Sequence, residues 1–460
     1  MLQTSEYRAG PYLRWLWRTG DFSRVSKRGS LKLTNYARLL LIGLVVGIFV
    51  ELAAGVGLIV VGIVDNMAAY WELGISLMIA YPVIMPNLIV LPLEIGRLYI
   101  VEPKQKTKIS RASAIFASHP GVKIAVAGSY GKTTMKEVLK TVLSEGKTVA
   151  ATEANHNVAI EHAKFASRLK GDEQILIIEY GEGAPGDVKR FAANTHPTHG
   201  VITGLAPAHL NNYKTMAAVA EDIFSIASYL KAKNIYVNGD SDAVKPYLRD
   251  SYIVYGSKGV ANWRAVNITV STKGISFKLK RGHTVIDLNS KLIGRHQVGV
   301  LSLAAVLAME LGLTDEQIKA GIAKTAPFEH RMQPYELDGA LVIDDTYNGN
   351  IDGIKAGTQL LSELKANRKI YVTPGLVEQG SQSEAVHKQM GELIAKAKPD
   401  IVVLMRNSVT DYILAGLKDG GYHGETRIET DPLGFYNNLS QFVAEGDLVL
   451  MQNDWPDNYA

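Results

Sequence analysis

A glycine-rich segment near residue 130 combines the residue types that bind a phosphate group. We call it the phosphate loop, and it consists of Gly128-Ser129-Tyr130-Gly131-Lys132-Thr133-Thr134. The apolar run at 123–127 before it predicts a short buried strand, and the apolar spacing over 133–144 predicts a helix. At such a strand–turn–helix junction, free backbone N–H groups and the positive end of the helix dipole converge on an anion.

The side chains of the phosphate loop match the parts of a nucleoside triphosphate. Gly128 and Gly131 let the backbone approach closely, and Lys132 would reach the outer phosphates. The Thr133 hydroxyl suits Mg²⁺. The spacing is Gly-x-x-Gly-Lys-Thr, because Val126 stands where the longer Gly-x-x-x-x-Gly-Lys-Thr loop has its first glycine. A glycine-rich turn without a ligand is the alternative, but Lys-Thr-Thr between a strand and a helix favours ATP or GTP.

Composition limits the classes of protein that remain. The 460 residues suffice for two or three domains, and the absence of cysteine excludes disulfides, thiolate metal sites and a cysteine nucleophile. The net charge is +4, but residues 1–38 hold eight Lys and Arg against two acidic residues, so the rest of the chain is slightly acidic. Because this basic segment precedes a long apolar run, it indicates a membrane partner rather than nucleic acid.

Two apolar runs, 39–64 and 73–93, are long enough to cross a bilayer. Three prolines in the second run predict a kink or a partly re-entrant segment. Basic residues flank both outer ends and are missing from the short link, so the positive-inside rule predicts a hairpin with both ends in the cytoplasm. We therefore expect a protein of the cytoplasmic membrane whose catalytic domains face the cytoplasm. Residues 1–36 would lie at the membrane interface, or else form a disordered basic tail.

One face of the first apolar run repeats small residues around a single acid. Gly43, Gly47, Glu51 and Gly55 recur every four residues, a spacing that allows close packing of two helices. Glu51 would face the same seam, because a lipid-facing carboxylate is costly. We favour simple packing of the hairpin, with contact to a lipid substrate as the alternative role for Glu51.

The remainder of the chain alternates strand-like and helix-like segments, which predicts a mostly parallel α/β fold in two units. Short alternating strands replace this pattern over 251–292. Helices are predicted at 161–169, 184–194, 216–230 and 296–311. Buried strands are predicted at 123–127, 174–179, 199–203, 234–237, 340–345, 369–373, 401–405 and 448–452.

Several separated motifs occur in an order that resembles the Mur ligase family, over roughly residues 120–455. The motifs are Gly128-Ser129-Tyr130-Gly131-Lys132-Thr133-Thr134, Asn155-His156-Asn157-Val158, Glu179-Tyr180-Gly181, Pro207-Ala208-His209-Leu210, Asn238-Gly239-Asp240-Ser241-Asp242, Gly294-Arg295-His296, Asp344-Asp345-Thr346-Tyr347-Asn348-Gly349-Asn350, and Glu378-Gln379-Gly380 with His387. Each motif alone is weak, whereas the ordered set is specific. The resemblance implies a central P-loop ATPase domain and a C-terminal Rossmann-like domain.

The resemblance also implies a reaction. In this family a substrate carboxylate attacks the γ-phosphate of ATP, and an amine then displaces phosphate from the acyl phosphate to form an amide. The implied catalytic residues are Lys132, Glu179 and His209. The implied Mg²⁺ ligands are Thr133, Glu179 and His209. The implied nucleotide contacts are Gly128, Ser129, Gly131, Lys132, Thr133, Thr134, His296, Arg331, Asp345 and Asn348. The implied substrate contacts are Asn155 and Asn157.

Several of these residues have simpler explanations. Glu179 could be a surface carboxylate at a strand end, and His209 could only pack a loop. Tyr347-Asn348-Gly349 is also typical of an ordinary turn. For His387 we favour a structural position in a helix over a catalytic one.

The chain departs from the family pattern at four places. Ile223 stands where the family has a carbamylated lysine, so one or two Mg²⁺ ions remain possible, and another lysine such as Lys214 could substitute. The family's His-Asn pair near adenine is His296-Gln297 here, and Val300 replaces a further Asn. Gln452-Asn453-Asp454 replaces Lys-Gly-Ser. A membrane hairpin is expected in place of the domain that binds the UDP-sugar.

These observations together predict a fold, a domain order and a function. The expected parts are a basic segment at 1–36, a transmembrane hairpin at 37–100, a linker at 101–119, the central ATP-binding domain at 120–326 and the C-terminal domain at 327–460. The expected function is ATP- and Mg²⁺-dependent addition of D-alanyl-D-alanine to a UDP- or lipid-linked muramoyl tripeptide in peptidoglycan synthesis, with membrane lipids as further partners. The alternatives are a related ligase that joins another amine to a lipid-linked carboxylate, or a catalytically weak nucleotide-binding scaffold. The oligomeric state stays open.

Overall fold

The structure, a computed structural model, describes residues 9–19, 33–154, 156–207, 210–347, 349–377 and 379–453. The chain divides into two compact units, Met1–Lys108 and Ile109–Ala460. Of the predicted site residues, Asn155, His209 and Asn348 lie outside the described residues, as do Ala208 and Glu378 of the motifs.

The first unit is helical. Its elements are α1 (Ala9–Arg18), α2 (Asn35–Val64), α3 (Ala68–Leu88), α4 (Val90–Gly96), a π-helical turn (Arg97–Val101) and the start of α5 (Glu102–Ser118). Two helical stretches, Ala37–Val64 and Ala68–Ser118, have the length and apolar composition of membrane-spanning helices. Only 11% and 6% of their most apolar windows are buried, which is unlike the core helix of a soluble domain. The helix α3 contains Pro82 and Pro86 and ends at Leu88, and α4 begins two residues later at Val90.

The helices α2 and α3 pack against each other through small residues. A Cβ atom added to Gly74 would lie 2.5 Å from the backbone oxygen of Gly55, and one added to Gly47 would lie 3.1 Å from Met85 Sδ. Glu51 is buried on this face, and neither carboxylate oxygen has a hydrogen-bond partner. The predicted packing face is therefore observed for three of its four residues, since a Cβ at Gly43 would meet no atom within 4 Å.

The second unit begins with the end of α5, so most of the segment predicted as a linker, 101–119, is helical. Ala112 and Phe116 of α5 lie one turn apart and are buried in the core of the following sheet. This burial explains why a polar segment, with Lys104, Lys106 and Lys108 on it, is helical up to Ser118.

The first sheet of this unit has ten strands, of which six are parallel. Its strands are β1 (Val122–Ala127), β2 (Val149–Ala151), β3 (Ile175–Glu179), β4 (His199–Ile202), β5 (Ile235–Asn238), β6 (Ile253–Gly256), β7 (Gly259–Val260), β8 (Trp263–Ser271), β9 (Gly274–Arg281) and β10 (Thr284–Ser290). Their spatial order is β10-β9-β8-β7-β6-β5-β4-β1-β3-β2, and pairing is parallel from β2 through β6 and antiparallel from β6 to β10.

Helices cover both faces of this sheet because alternate residues of a buried strand point to opposite sides. In β1, Ile124 and Val126 enter one core, whereas Ala125 and Ala127 enter the other. The helices are α6 (Lys132–Leu143), α7 (Ala159–Ala166), α8 (Asp187–Thr195), α9 (Leu210–Tyr213), α10 (Met216–Phe224), α11 (Gln297–Glu310) and α12 (Asp315–Lys324). Short 3₁₀ helices lie at Ser225–Tyr229, Ala232–Asn234 and Asp242–Tyr247.

The second sheet has six strands in the order β11-β12-β16-β13-β14-β15, all parallel except β11. The strands are β11 (Gln333–Leu337), β12 (Ala340–Asp345), β13 (Arg368–Thr373), β14 (Ile401–Met405), β15 (Glu425–Glu429) and β16 (Asp447–Gln452). Its helices are α13 (Ile351–Glu363), α14 (Ser383–Ala397), α15 (Thr410–Asp419), α16 (Pro432–Asn437) and α17 (Leu439–Phe442), with a 3₁₀ turn at Gly380–Gln382.

The mixed α/β architecture with large parallel sheets confirms the coarse fold prediction. Each of the eight predicted strands agrees with an observed strand to within one residue at either end. The helix predicted at 216–230 is shorter, because α10 ends at Phe224 and the chain continues as a 3₁₀ helix. Among the central strands, β1, β3 and β4 are adjacent, so the segments that follow them meet at one edge of the sheet.

Candidate active site

The phosphate loop connects β1 to α6 in a conformation that requires glycine. Gly128 and Gly131 have φ values of 143° and 71°, in the region that side chains with a Cβ rarely adopt. A Cβ on Gly128 would also lie 2.3 Å from Thr203 Oγ1. The Ser129 amide donates to Gly204 O at 2.9 Å, and the Thr203 hydroxyl donates to Tyr130 O. The loop is thus held against the end of β4, with the N-terminus of α6 directly behind it.

Lys132 is held by two acceptors. Its Nζ donates to Gly128 O at 2.5 Å and to Glu182 Oε2 at 2.7 Å. Glu182 follows β3, and only 4% of its side chain is exposed. Sequence reasoning missed Glu182, although a second carboxylate three residues after Glu179, at the end of the same strand, was a signal available in the sequence.

Glu179 is the last residue of β3 and is buried, so the explanation of a surface carboxylate is wrong. Its Oε1 accepts from Thr133 Oγ1 and from Asn157 Nδ2, each at 3.3 Å. Its Oε2 accepts no hydrogen bond but lies 3.2 Å from the ammonium of Lys136, a fully buried residue of α6 that sequence reasoning also missed.

The oxygens at this point fit Mg²⁺. The Thr133 hydroxyl and the Glu179 carboxylate are hard ligands in contact, and one carboxylate oxygen is buried without a hydrogen bond. In the part of the chain that the structure describes, no group of three or more His, Asp or Glu side chains lies close enough together to hold a metal ion. Ile223 is buried in α10 and has no amine to be carbamylated, and Lys214 is exposed outside the helix.

The backbone around Glu179 is fixed by a neutral histidine. His162 Nε2 lies 2.8 Å from Glu179 O and donates to it, while the Glu179 amide donates to Thr152 Oγ1 at 3.1 Å. Burial lowers the pKa of His162 to about 4, so the ring is uncharged at neutral pH. His162 also packs against Tyr180 and Phe191.

A cavity of about 390 Å³ lies beside the phosphate loop, between the two sheets of the second unit. It brings together predicted residues that are far apart in sequence, namely Gly131, Thr134, His296, Arg331 and Asp345. Ser129, Lys132, Thr133, Glu179 and Asn157 do not line this cavity. The predicted site therefore has two parts, a cavity lined by one set of these residues and a buried polar cluster formed by the other.

Gln297 and Val300, which differ from the asparagines of the family's adenine motif, lie on the cavity wall. Gln297 Nε2 is 2.9 Å from His296 Nε2, whereas His296 Nδ1 and Gln297 Oε1 are buried without a partner. Burial lowers the pKa of His296 to about 4, so it also is neutral. Val300 adds an apolar surface to the same wall. Two unpaired polar atoms and an apolar side chain form a surface that a planar base can contact.

Asp345 ends β12 at the opposite wall of the cavity. Its carboxylate accepts from Gln452 Nε2 at 2.8 Å and from the Met332 amide at 3.2 Å. Gln452, one of the departures, is fixed in turn by the Tyr371 hydroxyl, which donates to its Oε1 at 2.9 Å. Burial raises the pKa of Asp345 to about 7. The guanidinium of Arg331 lies 4.3 Å from the centre of the Tyr347 ring.

The two sheets are connected across the cavity by side-chain contacts. Tyr130 of the phosphate loop donates to Asp352 Oδ2 at 2.6 Å, and Arg295 Nε donates to Glu363 Oε1 at 3.1 Å. A ligand in the cavity would thus contact both domains. His387 lies elsewhere: its Nδ1 donates to Ser383 O at 2.6 Å and its Nε2 accepts from the Leu376 amide, which confirms a structural role.

Comparison with known proteins assigns the family. Residues 126–308 match the Mur ligase middle domain, and residues 330–452 match the Mur ligase, glutamate ligase domain. These two matches together span about two thirds of the chain. This chain belongs to the Mur ligase family. The helices α1 to α4 precede the matched residues.

Two curated relatives of this Mur ligase, from Escherichia coli and Bacillus subtilis, carry the name UDP-N-acetylmuramoyl-tripeptide--D-alanyl-D-alanine ligase. The Escherichia coli (strain K12) protein is 31% identical over 295 residues, which are 62% of this chain and 64% of that protein. The Bacillus subtilis (strain 168) protein is 26% identical over 336 residues, which are 72% of this chain and 71% of that protein. The chain thus spans less than two thirds of the length of the Escherichia coli relative.

Solved structures show the same fold. MurF from Acinetobacter baumannii aligns with a TM-score of 0.66 at 20% identity, over 76% of this chain and 77% of that one. MurF ligase from Thermotoga maritima, in complex with ADP, also aligns with a TM-score of 0.66, at 21% identity over 76% of this chain and 80% of that one.

The raised pKa of Asp345 predicts a pH-dependent stability. The folded state binds the proton of the Asp345 carboxyl group more tightly than the unfolded state does. This proton therefore stabilises the fold fully below about pH 4, and the stabilisation is lost as the pH rises through 7. Asp345→Asn has no charge to bury, so its stability relative to wild type should rise by up to about 3 kcal/mol between pH 5 and pH 8. Thermal unfolding at the two pH values measures this difference. Asp338→Asn, at an exposed turn, is the control. If the stability of Asp345→Asn relative to wild type were the same at pH 5 and pH 8, the raised pKa of Asp345 would be contradicted.

Proposed function

We propose that this Mur ligase uses ATP to join D-alanyl-D-alanine to a muramoyl tripeptide in peptidoglycan synthesis. The observation that carries the proposal is the meeting of the phosphate loop, Lys132 and the Thr133–Glu179 pair at one sheet edge, beside a cavity lined by both domains. The shared name of the curated relatives supports this substrate pair.

The proposed reaction has two steps. A carboxylate oxygen of the tripeptide attacks the γ-phosphorus of ATP, and the bond between this phosphorus and the β-phosphate oxygen breaks. The products of this step are ADP and an acyl phosphate. The amino nitrogen of D-alanyl-D-alanine then attacks the acyl carbon, inorganic phosphate leaves, and the nitrogen loses a proton to give the amide. Such a path depends mainly on positioning and on neutralising negative charge.

The chain's own residues supply that charge and position. Lys132 would donate to the transferred phosphoryl group, and the loop amides around Gly128 and Gly131 would hold the other phosphates. Thr134, His296, Arg331 and Asp345 would hold the nucleoside in the cavity, and Ser129 of the loop would contact the phosphates. The family resemblance adds Asn348 to these contacts, and Asn155 and Asn157 to the substrate contacts.

Thr133 and Glu179 would hold Mg²⁺, and the resemblance adds His209 as a further ligand. When bound, the ion would neutralise charge on the outer phosphates. Because Ile223 is buried at the position of the family's carbamylated lysine, the described residues support ligands for one ion at this edge.

We further propose that the first unit anchors the ligase domains at the cytoplasmic face of the membrane. The exposed apolar surfaces of α2 and α3, packed through small residues, support a transmembrane hairpin at 37–100. Residues 1–36 would be a basic interfacial segment, 101–119 a helical linker, 120–326 the central domain and 327–460 the C-terminal domain. An anchor would raise the local concentration of a lipid-linked acceptor, which makes that acceptor the alternative to a UDP-linked one.

Ligase activity predicts phosphate release that requires both substrates. We expect the full chain, purified in detergent with Mg-ATP, to release phosphate only when a muramoyl tripeptide and D-alanyl-D-alanine are both present. Lys132→Ala should lower kcat by at least about 100-fold, because it removes a charge that contacts the transferred group. Lys140→Ala, an exposed lysine on the same helix, is the matched control.

Two acceptors, UDP-linked and lipid-linked, are compared in the same assay. Faster turnover of the lipid-linked acceptor would support the role of the anchor. Release that does not require the amine, or no release with either acceptor, would contradict the ligase and favour the nucleotide-binding scaffold.

The hairpin predicts a topology that labelling can test, because the chain has no cysteine of its own. A membrane-impermeant maleimide should label Met67→Cys, in the turn after α2, in intact cells. Lys170→Cys, in an exposed loop of the central domain, should react only after the membrane is permeabilised. Reaction of Lys170→Cys in intact cells, or protection of Met67→Cys, would contradict the proposed orientation.

A further inference from the structure

Both groups that the proposed function assigns to ATP and Mg²⁺ already carry a counter-charge from the chain itself. Lys132, assigned to the phosphates, contacts Glu182 Oε2 at 2.7 Å. Glu179, assigned to the metal, lies 3.2 Å from Lys136 Nζ. All four side chains are largely buried, so neither pair is screened by solvent as a surface ion pair is.

The pair of Lys132 and Glu182 opposes the binding of a nucleotide without metal. A phosphate that takes the ammonium of Lys132 leaves the Glu182 carboxylate without its charged partner in a buried position. An unpaired buried carboxylate is costly, and here it would also lie near the negative phosphates. Metal-free ATP therefore binds against a repulsion between its phosphates and the Glu182 carboxylate, which is already in place in the empty site.

The pair of Glu179 and Lys136 opposes the binding of a metal without nucleotide. Lys136 is fully buried on α6, donates to Ala154 O, and lies 3.4 Å from Glu137 Oε1. A divalent cation alone would meet a carboxylate that is already neutralised and an adjacent ammonium. The other nearby carboxylate, Glu182, is neutralised by Lys132.

We propose that Glu182 and Lys136 couple the metal to the nucleotide, so that each binds tightly only when the other is present. Phosphates that bind Lys132 release Glu182, and the released carboxylate together with the phosphates supplies the negative charge that a divalent cation lacks in the empty site. The cation in turn offsets the repulsion between Glu182 and the phosphates. This coupling rests on the proposed function and is reciprocal, as any coupling between two binding equilibria must be.

The test measures the affinity of the full chain in detergent for a fluorescent, non-hydrolysable ATP analogue, once in EDTA and once in excess Mg²⁺. Glu182→Gln keeps the size of the side chain and removes its charge. We expect this variant to bind the metal-free analogue at least about tenfold more tightly than wild type. The ratio of the affinity in Mg²⁺ to the affinity in EDTA should fall by the same factor. Glu145→Gln removes a carboxylate from a surface ion pair with Lys324 in the same domain, and should leave the ratio unchanged.

A second variant tests the metal side with a different readout. Binding of Mn²⁺ without nucleotide, followed by electron paramagnetic resonance, should be at least about tenfold tighter in Lys136→Met than in wild type. Lys324→Met is the control. If Lys136→Met does not fold, Glu182→Gln still decides the question.

The possible outcomes separate this inference from the proposed function. If wild type binds the Mg²⁺–analogue complex but Glu182→Gln has the wild-type ratio, the coupling is overturned and the proposed function stands. If wild type binds the analogue under neither condition, the proposed function fails, and the coupling fails with it.

Discussion

The parallel pairing of β1 with β3 is the constraint on which the site depends. In this register Val126 lies opposite Glu179, so the carboxylate stands beside the first residues of the phosphate loop. Strand β4 pairs on the other side of β1, with Ile202 opposite Ala127, and places Thr203 against the same loop. A shift of the register by one residue would turn Glu179 to the opposite face of the sheet and separate it from Thr133.

The same edge concentrates buried charge that the fold has to compensate. Lys132, Lys136, Glu179 and Glu182 neutralise one another in pairs, and the neutral His162 fixes the backbone beneath them. Across the cavity, the Asp345 carboxylate accepts from Gln452, and burial raises its pKa to about 7. A ligand that carries both a divalent cation and phosphates can replace these internal partners, whereas an uncharged one cannot.

Local patterns were sufficient to predict the strands, the phosphate loop and the family. A continuous apolar run and a glycine turn are encoded by neighbouring residues, so the place of Gly128, Gly131 and Lys132 at the junction of a strand and a helix could be predicted directly. The partners of Lys132 and Asp345 could not, because Glu182 is 50 residues and Gln452 is 107 residues away, and only the folded sheets bring them together. The burial of Lys136 could not be predicted for another reason. A lysine on a helix is usually solvent-exposed, whereas this one is buried 3.2 Å from Glu179 at the end of β3.

Transfer of ¹⁸O from the acceptor carboxylate to phosphate tests the central claim most directly. If the phosphate loop activates that carboxylate as an acyl phosphate, a tripeptide labelled with ¹⁸O in the reacting carboxyl group should give one labelled oxygen in each inorganic phosphate released. Mass spectrometry of the phosphate measures the transfer. Amide formation with unlabelled phosphate would contradict the account, because the carboxylate oxygen would then never have been bonded to phosphorus.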